Sequence, residues 1–273
     1  MIHPRKQFGQ HWLKSDKALA KILQAADLQP TDRVLEIGPG TGILTVKLLP
    51  LVRSLVAIEI DRDLCQSLRQ KFAEPILEQK LELIEGDILT LPLPNVNKVV
   101  ANIPYNITSP ILEKLLGSIS QPVAQFEQIV LLVQKEIGDR LVAKAGHKAY
   151  GAMSVRVQYL AECRFICDVP AKAFMPPPKV DSAVVCLLPR SLPQPASDPK
   201  FLETIIKLGF ATKRKMLRNN LGTIIERDRL VNVLASIQIN PQVRAEDLSV
   251  EQWIQLSECL RSLEPVPPVF DAQ

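Results

Sequence analysis

The stretch RVLEIGPGTG, residues 33–42, decides the fold. A short, mostly apolar run of strand length stops at three glycines, Gly38, Gly40 and Gly42. Glycine lets the backbone turn tightly there and lets a ligand lie against bare main chain. GILTVKLLPL, residues 42–51, then reads as a helix, so the unit is strand, glycine turn, helix. The rhythm repeats in LVAIEID (55–61), LELIEGD (81–87), KVVANIP (98–104) and QIVLLVQ (128–134). Continuous rather than alternating hydrophobicity suits strands buried on both faces of a parallel sheet. RDLCQSLRQKF (62–72) supplies a second helix, ending before Pro75, and PILEKLLGS (110–118) a third. Ser109 is expected to cap that third helix, with Pro110 at its first position. The alternation predicts a doubly wound α/β sheet.

After Gln134 the pattern changes. QKEIGDRLVAK (134–144) reads as a helix broken at Gly146. SVRVQYLAECRFICDVP (154–170) and SAVVCLLPR (182–190) read as strands, joined by the proline-rich FMPPPKVDS (174–182). SLPQPASDP, residues 191–199, has the composition of a linker. Beyond it the chain reads as helical. Asp198 is placed to cap a helix starting at Pro199, RDRLVNVLASI (227–237) is a second helix, and Ser249 with Gln252 forms a capping box for a third. The expected organisation is a first domain over 1–192 with a basic amino-terminal arm, a helical domain over 198–264, and a flexible tail over 265–273.

Composition excludes several classes. Of the 273 residues 47% are hydrophobic, enough for a full core, yet no run reaches the roughly 18 apolar residues of a membrane span. The amino terminus lacks the apolar stretch of a secretion signal, so a cytoplasmic protein is expected. Five cysteines without a CxxC pair and only three histidines do not supply a zinc ligand set, so no metal is expected. The net charge of +4 is modest, but its placement is not even. Arg5 and Lys6 head a basic arm; Lys213, Arg214, Lys215 and Arg218 crowd into KRKMLR; Arg140, Lys144 and Lys148 follow at intervals of four on an expected helix. Separate basic patches on a near-neutral background suit a polyanion such as RNA.

The glycine turn alone leaves two cofactor classes open. A dinucleotide site wants GxGxxG, and Ile43 stands where its third glycine belongs. GxGxG better suits S-adenosylmethionine, which has no phosphate to cradle. Glu59 ends the second strand, 17 residues after Gly42, where a carboxylate can accept both ribose hydroxyls. Asp87 ends the third, where a carboxylate can accept from an adenine amino group.

The fourth strand ends in Asn102, Ile103, Pro104 and Tyr105. Such an ending fits transfer of a methyl group to an exocyclic amine of a nucleobase. The amine's lone pair is delocalised into the ring, so it must pyramidalise before it attacks in line. An Asn side-chain oxygen and a backbone carbonyl held by proline can accept its two N–H bonds as charge develops. Tyr105 can stack on the base, worth about 1–3 kcal/mol.

With these motifs in order, the chain resembles the ribosomal RNA adenine N6,N6-dimethyltransferases. The resemblance rests on QFGQHWL (7–13), VLEIGPGTG, EID, GD, NIPYNITSP (102–110) and FMPPPKVDS, from residue 5 to about 190. It implies a Rossmann-like class I S-adenosylmethionine-dependent methyltransferase fold with a smaller all-α carboxyl-terminal domain. It also implies dimethylation of two adjacent adenosines in a hairpin loop near the 3′ end of 16S rRNA. His11, Leu13, Gly38, Gly40, Glu59, Asp87 and Asn102 then fall on cofactor positions. Tyr105 and Phe174 fall where aromatic rings sandwich the target adenine. His11 departs from the commoner Asn, although it too can donate a hydrogen bond. The expected partner is 16S rRNA in the small subunit or its precursor, contacted by the basic residues above, and the expected working form is a monomer. A 23S rRNA dimethyltransferase of the antibiotic-resistance type and a non-catalytic assembly factor remain the alternatives.

Overall fold

The structure is a computed structural model that describes residues 4–5, 9–212 and 214–262. Lys6, Lys213 and the tail over 265–273 lie outside the described residues. The chain divides into two compact units, one of Met1–Val142 with Leu160–Ser191, the other of Ala143–Tyr159 with Leu192–Gln273.

In chain order the first unit runs β1 (Trp12–Leu13), α1 (Asp16–Ala26), β2 (Arg33–Ile37), α2 (Ile43–Leu48), β3 (Ser54–Glu59), α3 (Arg62–Lys71), α4 (Ala73–Leu77) and β4 (Leu81–Glu85). It continues with β5 (Lys98–Asn102), α5 (Thr108–Leu116), β6 (Gln128–Gln134) and α6 (Lys135–Val142). After α7 (Ala152–Leu160) come β7 (Ala161–Val169), β8 (Phe174–Met175) and β9 (Ser182–Pro189). Seven strands form one sheet in the order β4-β3-β2-β5-β6-β9-β7. β4, β3, β2, β5 and β6 are parallel, and β9 joins antiparallel to both β6 and β7. The continuous apolar runs are buried as their pattern demands: Ile129 to Val133 of β6 have no exposed surface. α1 is capped by the Ser15 hydroxyl, which accepts from the Ala18 N–H, and it buries Ala18, Leu19, Ile22 and Ala26 along one stripe. The chain leaves β2 to one side for β3 and β4, then returns to the other side of β2 for β5. That reversal opens a crevice at the carboxyl ends of β2 and β5, where open α/β sheets take their ligands.

The second unit carries α8 (Pro199–Gly209), α9 (Leu217–Asn220), α10 (Arg227–Ser236) and α11 (Val250–Arg261), with most of α7. Asp198 caps α8 by accepting from the Phe201 N–H at 3.0 Å, and Ser249 with Gln252 closes the capping box of α11. Trp253 is fully buried at the centre of this unit.

Local structure departs from the sequence reading in four places. SVRVQYL is helical rather than extended. The Ser154 hydroxyl accepts the Gly151 N–H at the start of α7, and Val155, Val157, Tyr159 and Leu160 are all buried, so packing on several sides overrides their β-propensity. This segment groups with the second unit because the Gly146 N–H donates to the Glu246 carbonyl and the Tyr159 hydroxyl accepts the Ala196 N–H. Ser109 is not a cap: a single 3-10 turn over Tyr105–Ile107 starts the helix early, so Ser109 lies inside its first turn. α6 ends at Val142, so Lys144 and Lys148 do not continue a helical row from Arg140. Finally, α4 begins just before Pro75, which sits in its first turn, where the missing N–H costs nothing.

One buried ion pair braces the end of the sheet opposite the crevice. Lys98 Nζ lies 2.9 Å from Asp32 Oδ2, with the two side chains 9% and 6% exposed, and it also donates to the carbonyls of Ala26 and Asp27. Burial works to raise the Asp32 carboxyl, but the Asn97 amide, the Gln29 N–H and Lys98 together hold it below its ordinary value. Removing one partner of such a pair leaves the other charge buried and costs about 3–5 kcal/mol. Lys98→Ala is expected to lose about 3 kcal/mol of unfolding free energy in urea. A loss below about 1 kcal/mol would show that the pair is effectively hydrated.

Candidate active site

The crevice is walled by the carboxyl ends of β2, β3, β4 and β5 and by residues 9–12 of the amino-terminal arm. Its floor is the glycine turn. Gly40 takes φ 60°, and a Cβ built on it would lie 3.1 Å from Trp12 Cδ1. Gly42 takes φ 77°, and a Cβ there would lie 2.6 Å from Phe72 Cε2. Both positions therefore need glycine for conformation and for space.

Glu59 ends β3 and is 4% exposed. Its Oε2 accepts the Gly40 N–H and its Oε1 accepts the Asp61 N–H, each at 3.0 Å. Burial raises its carboxyl above the ordinary value, and the two backbone donors work against that rise. Each oxygen keeps a lone pair, so a diol can still be accepted. Asp87 lies two residues past β4 and lines the cavity; its Oδ1 accepts the Leu89 N–H at 2.9 Å.

Asn102 ends β5, and its Nδ2 donates to the His11 carbonyl at 3.1 Å. Its Oδ1 has no donor among the described residues and is left to accept. The Ile103 N–H donates to the Leu132 carbonyl, which fixes the Asn102–Ile103 peptide. The Tyr105 hydroxyl is 2.5 Å from Ser182 Oγ, a fully buried group at the start of β9. Burial raises the Tyr105 phenol, so it stays neutral. A second, wider opening of ≈2230 Å³ adjoins the cavity and shares His11, Trp12 and Tyr105 with it; Asn106, Gln134 and Met175 are among its other walls.

Three expected site residues sit differently. Phe174 is 1% exposed and packs into the main core with Leu13, its partner in the β1–β8 pair, so it lines neither opening. Tyr105 instead stacks on the His11 ring, with centroids 5.7 Å apart and planes at 22°. Leu13 is likewise a core residue and not a wall of the cavity. Arg5 is not a free cation: its guanidinium holds Asp61 at 3.2 Å and also Asp63, while its N–H donates to Gln10 Oε1. Of the other basic residues, Arg140 pairs with Glu136 within α6, and Lys144, Lys148, Arg214 and Lys215 are exposed. Arg218 lies on α9 with its Nε buried and without a partner among the described residues.

Sequence reasoning missed Gln10, Trp12, Asp61 and Ser182. Asp61 caps α3 through the Asp63 N–H and also accepts from Gln10 Nε2 at 3.1 Å, so it ties the arm to the sheet. The quoted motifs contained all four, but contacts 51 to 77 residues distant leave no periodic trace. Among the described residues no cluster of His, Cys, Asp or Glu could hold a metal ion, and no helix is long and apolar enough to cross a membrane.

A doubly wound sheet with a glycine turn and two strand-end acids at its switch point is that of a class I S-adenosylmethionine-dependent methyltransferase. The family model for Ribosomal RNA adenine dimethylase matches residues 1–262, and the chain belongs to that family. It is 58% identical over 271 residues to Ribosomal RNA small subunit methyltransferase A of Nostoc sp., covering 95% of this chain and 99% of that protein. The protein of the same name from Nostoc punctiforme is 59% identical over 274 residues, covering 94% and 95%. Among solved structures, a dimethyladenosine transferase from Plasmodium falciparum superposes with TM-score 0.77 at 30% identity, over 90% of this chain and 96% of that one. The 23S rRNA methyltransferase ErmE superposes with TM-score 0.73 at 28% identity, over 92% and 100%.

A second buried acid lies under the glycine turn. Glu36 of β2 accepts the Thr45 hydroxyl at 2.7 Å. Burial pushes its carboxyl up to about 8, against the Thr45 bond and with help from the Glu59 charge. An unfolded chain ionises this group near 4.5, so between about pH 5 and about pH 8 the folded state binds more protons and stability falls as pH rises. Glu36→Gln is expected to flatten that decline in thermal unfolding. Equal pH slopes for the variant and the parent would contradict the assignment.

Proposed function

We propose that the chain transfers two methyl groups from S-adenosylmethionine to the N6 amine of each of two adjacent adenosines in small-subunit ribosomal RNA, near the 3′ end of 16S rRNA. The observation that carries this reading is the convergence of Glu59, Asp87 and Asn102 on one cavity, with Tyr105 at the junction to the wider opening. The residues present fit the cofactor. Glu59 retains acceptor capacity for the ribose hydroxyls, Asp87 Oδ2 for the adenine amine, and the bare main chain of Gly38 and Gly40 lets the ligand approach. When bound, the cofactor supplies an electrophilic methyl group on a sulfonium.

The protein's part is positioning. Asn102 Nδ2 is engaged by the His11 carbonyl, so the side-chain oxygen faces the incoming amine in a fixed orientation. That oxygen and the Ile103 carbonyl accept the two N–H bonds and favour the pyramidal nitrogen as its lone pair is drawn out of the ring. Tyr105, tethered to buried Ser182, gives the extruded base a platform that cannot swing. After the first transfer one N–H remains, so one acceptor suffices for the second. The exposed Lys144, Lys148, Arg214 and Lys215, together with Lys6 and Lys213, supply phosphate contacts that position RNA without reading its bases. We take the working form to be a monomer, acting in the cytoplasm where ribosomal subunits mature.

The resemblance to ErmE keeps 23S rRNA as the second reading. Labelled methyl transfer to unmethylated small and large ribosomal subunits, with mass mapping of both ribosomal RNAs, decides between them. Four methyl groups per small subunit are expected, two on each adenosine; methylation confined to 23S rRNA would overturn the small-subunit reading. In the same assay Asn102→Ala is expected to lower single-cycle transfer about 100-fold or more. Its cofactor affinity is expected to fall less than about tenfold, and near-normal transfer would remove Asn102 from the mechanism.

A further inference from the structure

We propose that Trp12 is a cofactor-binding residue whose indole N–H donates to the carboxylate of the methionine portion of S-adenosylmethionine. This inference rests on the cofactor reading above. Trp12 Nε1 is buried and has no hydrogen-bond partner among the described residues. A buried donor left unpaired is costly, and such a group in a cavity wall calls for a ligand acceptor. Trp12 lines both openings, and its Cδ1 and Nε1 edge lies 3.1 and 3.3 Å from the position of a Cβ on Gly40. The N–H edge therefore lies over the glycine turn.

The donors available to an anion in this cavity are few. No lysine or arginine is among its described walls, and its two charged side chains, Glu59 and Asp87, are both acids. The other side-chain donors are wholly or partly engaged. His11 Nδ1–H donates to the Pro176 carbonyl and the Tyr105 hydroxyl is bonded to Ser182, while Gln10 Nε2 and Asn102 Nδ2 each spend one of two N–H groups, on Asp61 and on the His11 carbonyl. Trp12 Nε1 is buried with no partner at all among the described residues. Position agrees with this choice. Glu59 and Asp87 draw the ribose and adenine toward β3 and β4, and the reacting methyl must lie at Asn102 on β5. The amino-acid end is then left beside the glycine turn and the arm. An indole N–H suits the task because it is a donor only and cannot be drawn into an ion pair with the neighbouring acids.

Calorimetric titration of the full chain with three ligands tests the contact: S-adenosylmethionine, its decarboxylated counterpart, and 5′-methylthioadenosine, which lacks the whole amino-acid end. The parent chain is expected to bind the decarboxylated ligand about tenfold more weakly than S-adenosylmethionine. Trp12→Phe keeps a ring in place and removes the donor. It is expected to weaken S-adenosylmethionine about tenfold, to bind the decarboxylated ligand as the parent does, and to leave 5′-methylthioadenosine within about twofold, which also reports that the cavity is folded. Unchanged S-adenosylmethionine affinity in Trp12→Phe would overturn the contact. Equal weakening of all three ligands would overturn it too, because ring packing would then be the cause. If the parent bound none of them, the cofactor reading itself would fall.

Discussion

The site depends on one buried carboxylate. Glu59 accepts the Gly40 N–H with one oxygen and the Asp61 N–H with the other, so it fastens the glycine turn of β2 to the tip of β3. Hydrogen bonds to a charged acceptor contribute about 1.5–3 kcal/mol each, which offsets part of the cost of burying the charge. The connection then spreads outward. Asp61 caps α3 and receives Gln10 and Arg5, which anchors the arm; the arm presents the His11 carbonyl; that carbonyl takes one side of the Asn102 amide. Glycine turn, arm and the end of β5 therefore form one hydrogen-bonded series.

This series explains why Arg5 is not available as a free cation. Its guanidinium lies between Asp61 and Asp63 at the start of α3 and neutralises charge there. Lys144, Lys148, Arg214 and Lys215 are exposed, as side chains that contact phosphate must be.

Most of the first unit was legible because its signals are local. Continuous apolar runs gave the five parallel strands, and three glycines with acids at fixed distances marked their carboxyl ends. The misreadings each involve a contact that spacing cannot encode. SVRVQYL has the composition of a strand, but α7 is packed on several sides, with Val155, Val157, Tyr159 and Leu160 all buried. Lys144 and Lys148 keep a helical interval after the helix has ended. Phe174 was a site aromatic by the resemblance alone, and the two-residue pairing of β1 with β8 sets it in the core beside Leu13. Trp12 passed unnoticed because an unpaired N–H is a property of the fold and has no sequence pattern.

The electrostatics of the cavity fit its ligand in a way that the cofactor's ribose and adenine alone do not require. Its described walls carry two carboxylates, the aromatic side chains of Trp12 and Tyr105, and no lysine or arginine. Carboxylates favour a positive charge. A sulfonium is positive before transfer and neutral after it, so under the proposed reaction such walls would hold the reactant better than the product. The same walls would repel the pyrophosphate of a dinucleotide. Ile43 in place of a third glycine pointed the same way in the sequence, and the cavity supplies the physical reason: the floor offers bare main chain while the rim offers negative charge. An anionic carboxylate at the far end of the ligand is the one group for which these walls make no charged provision, and neutral N–H donors are what the arm has to offer it.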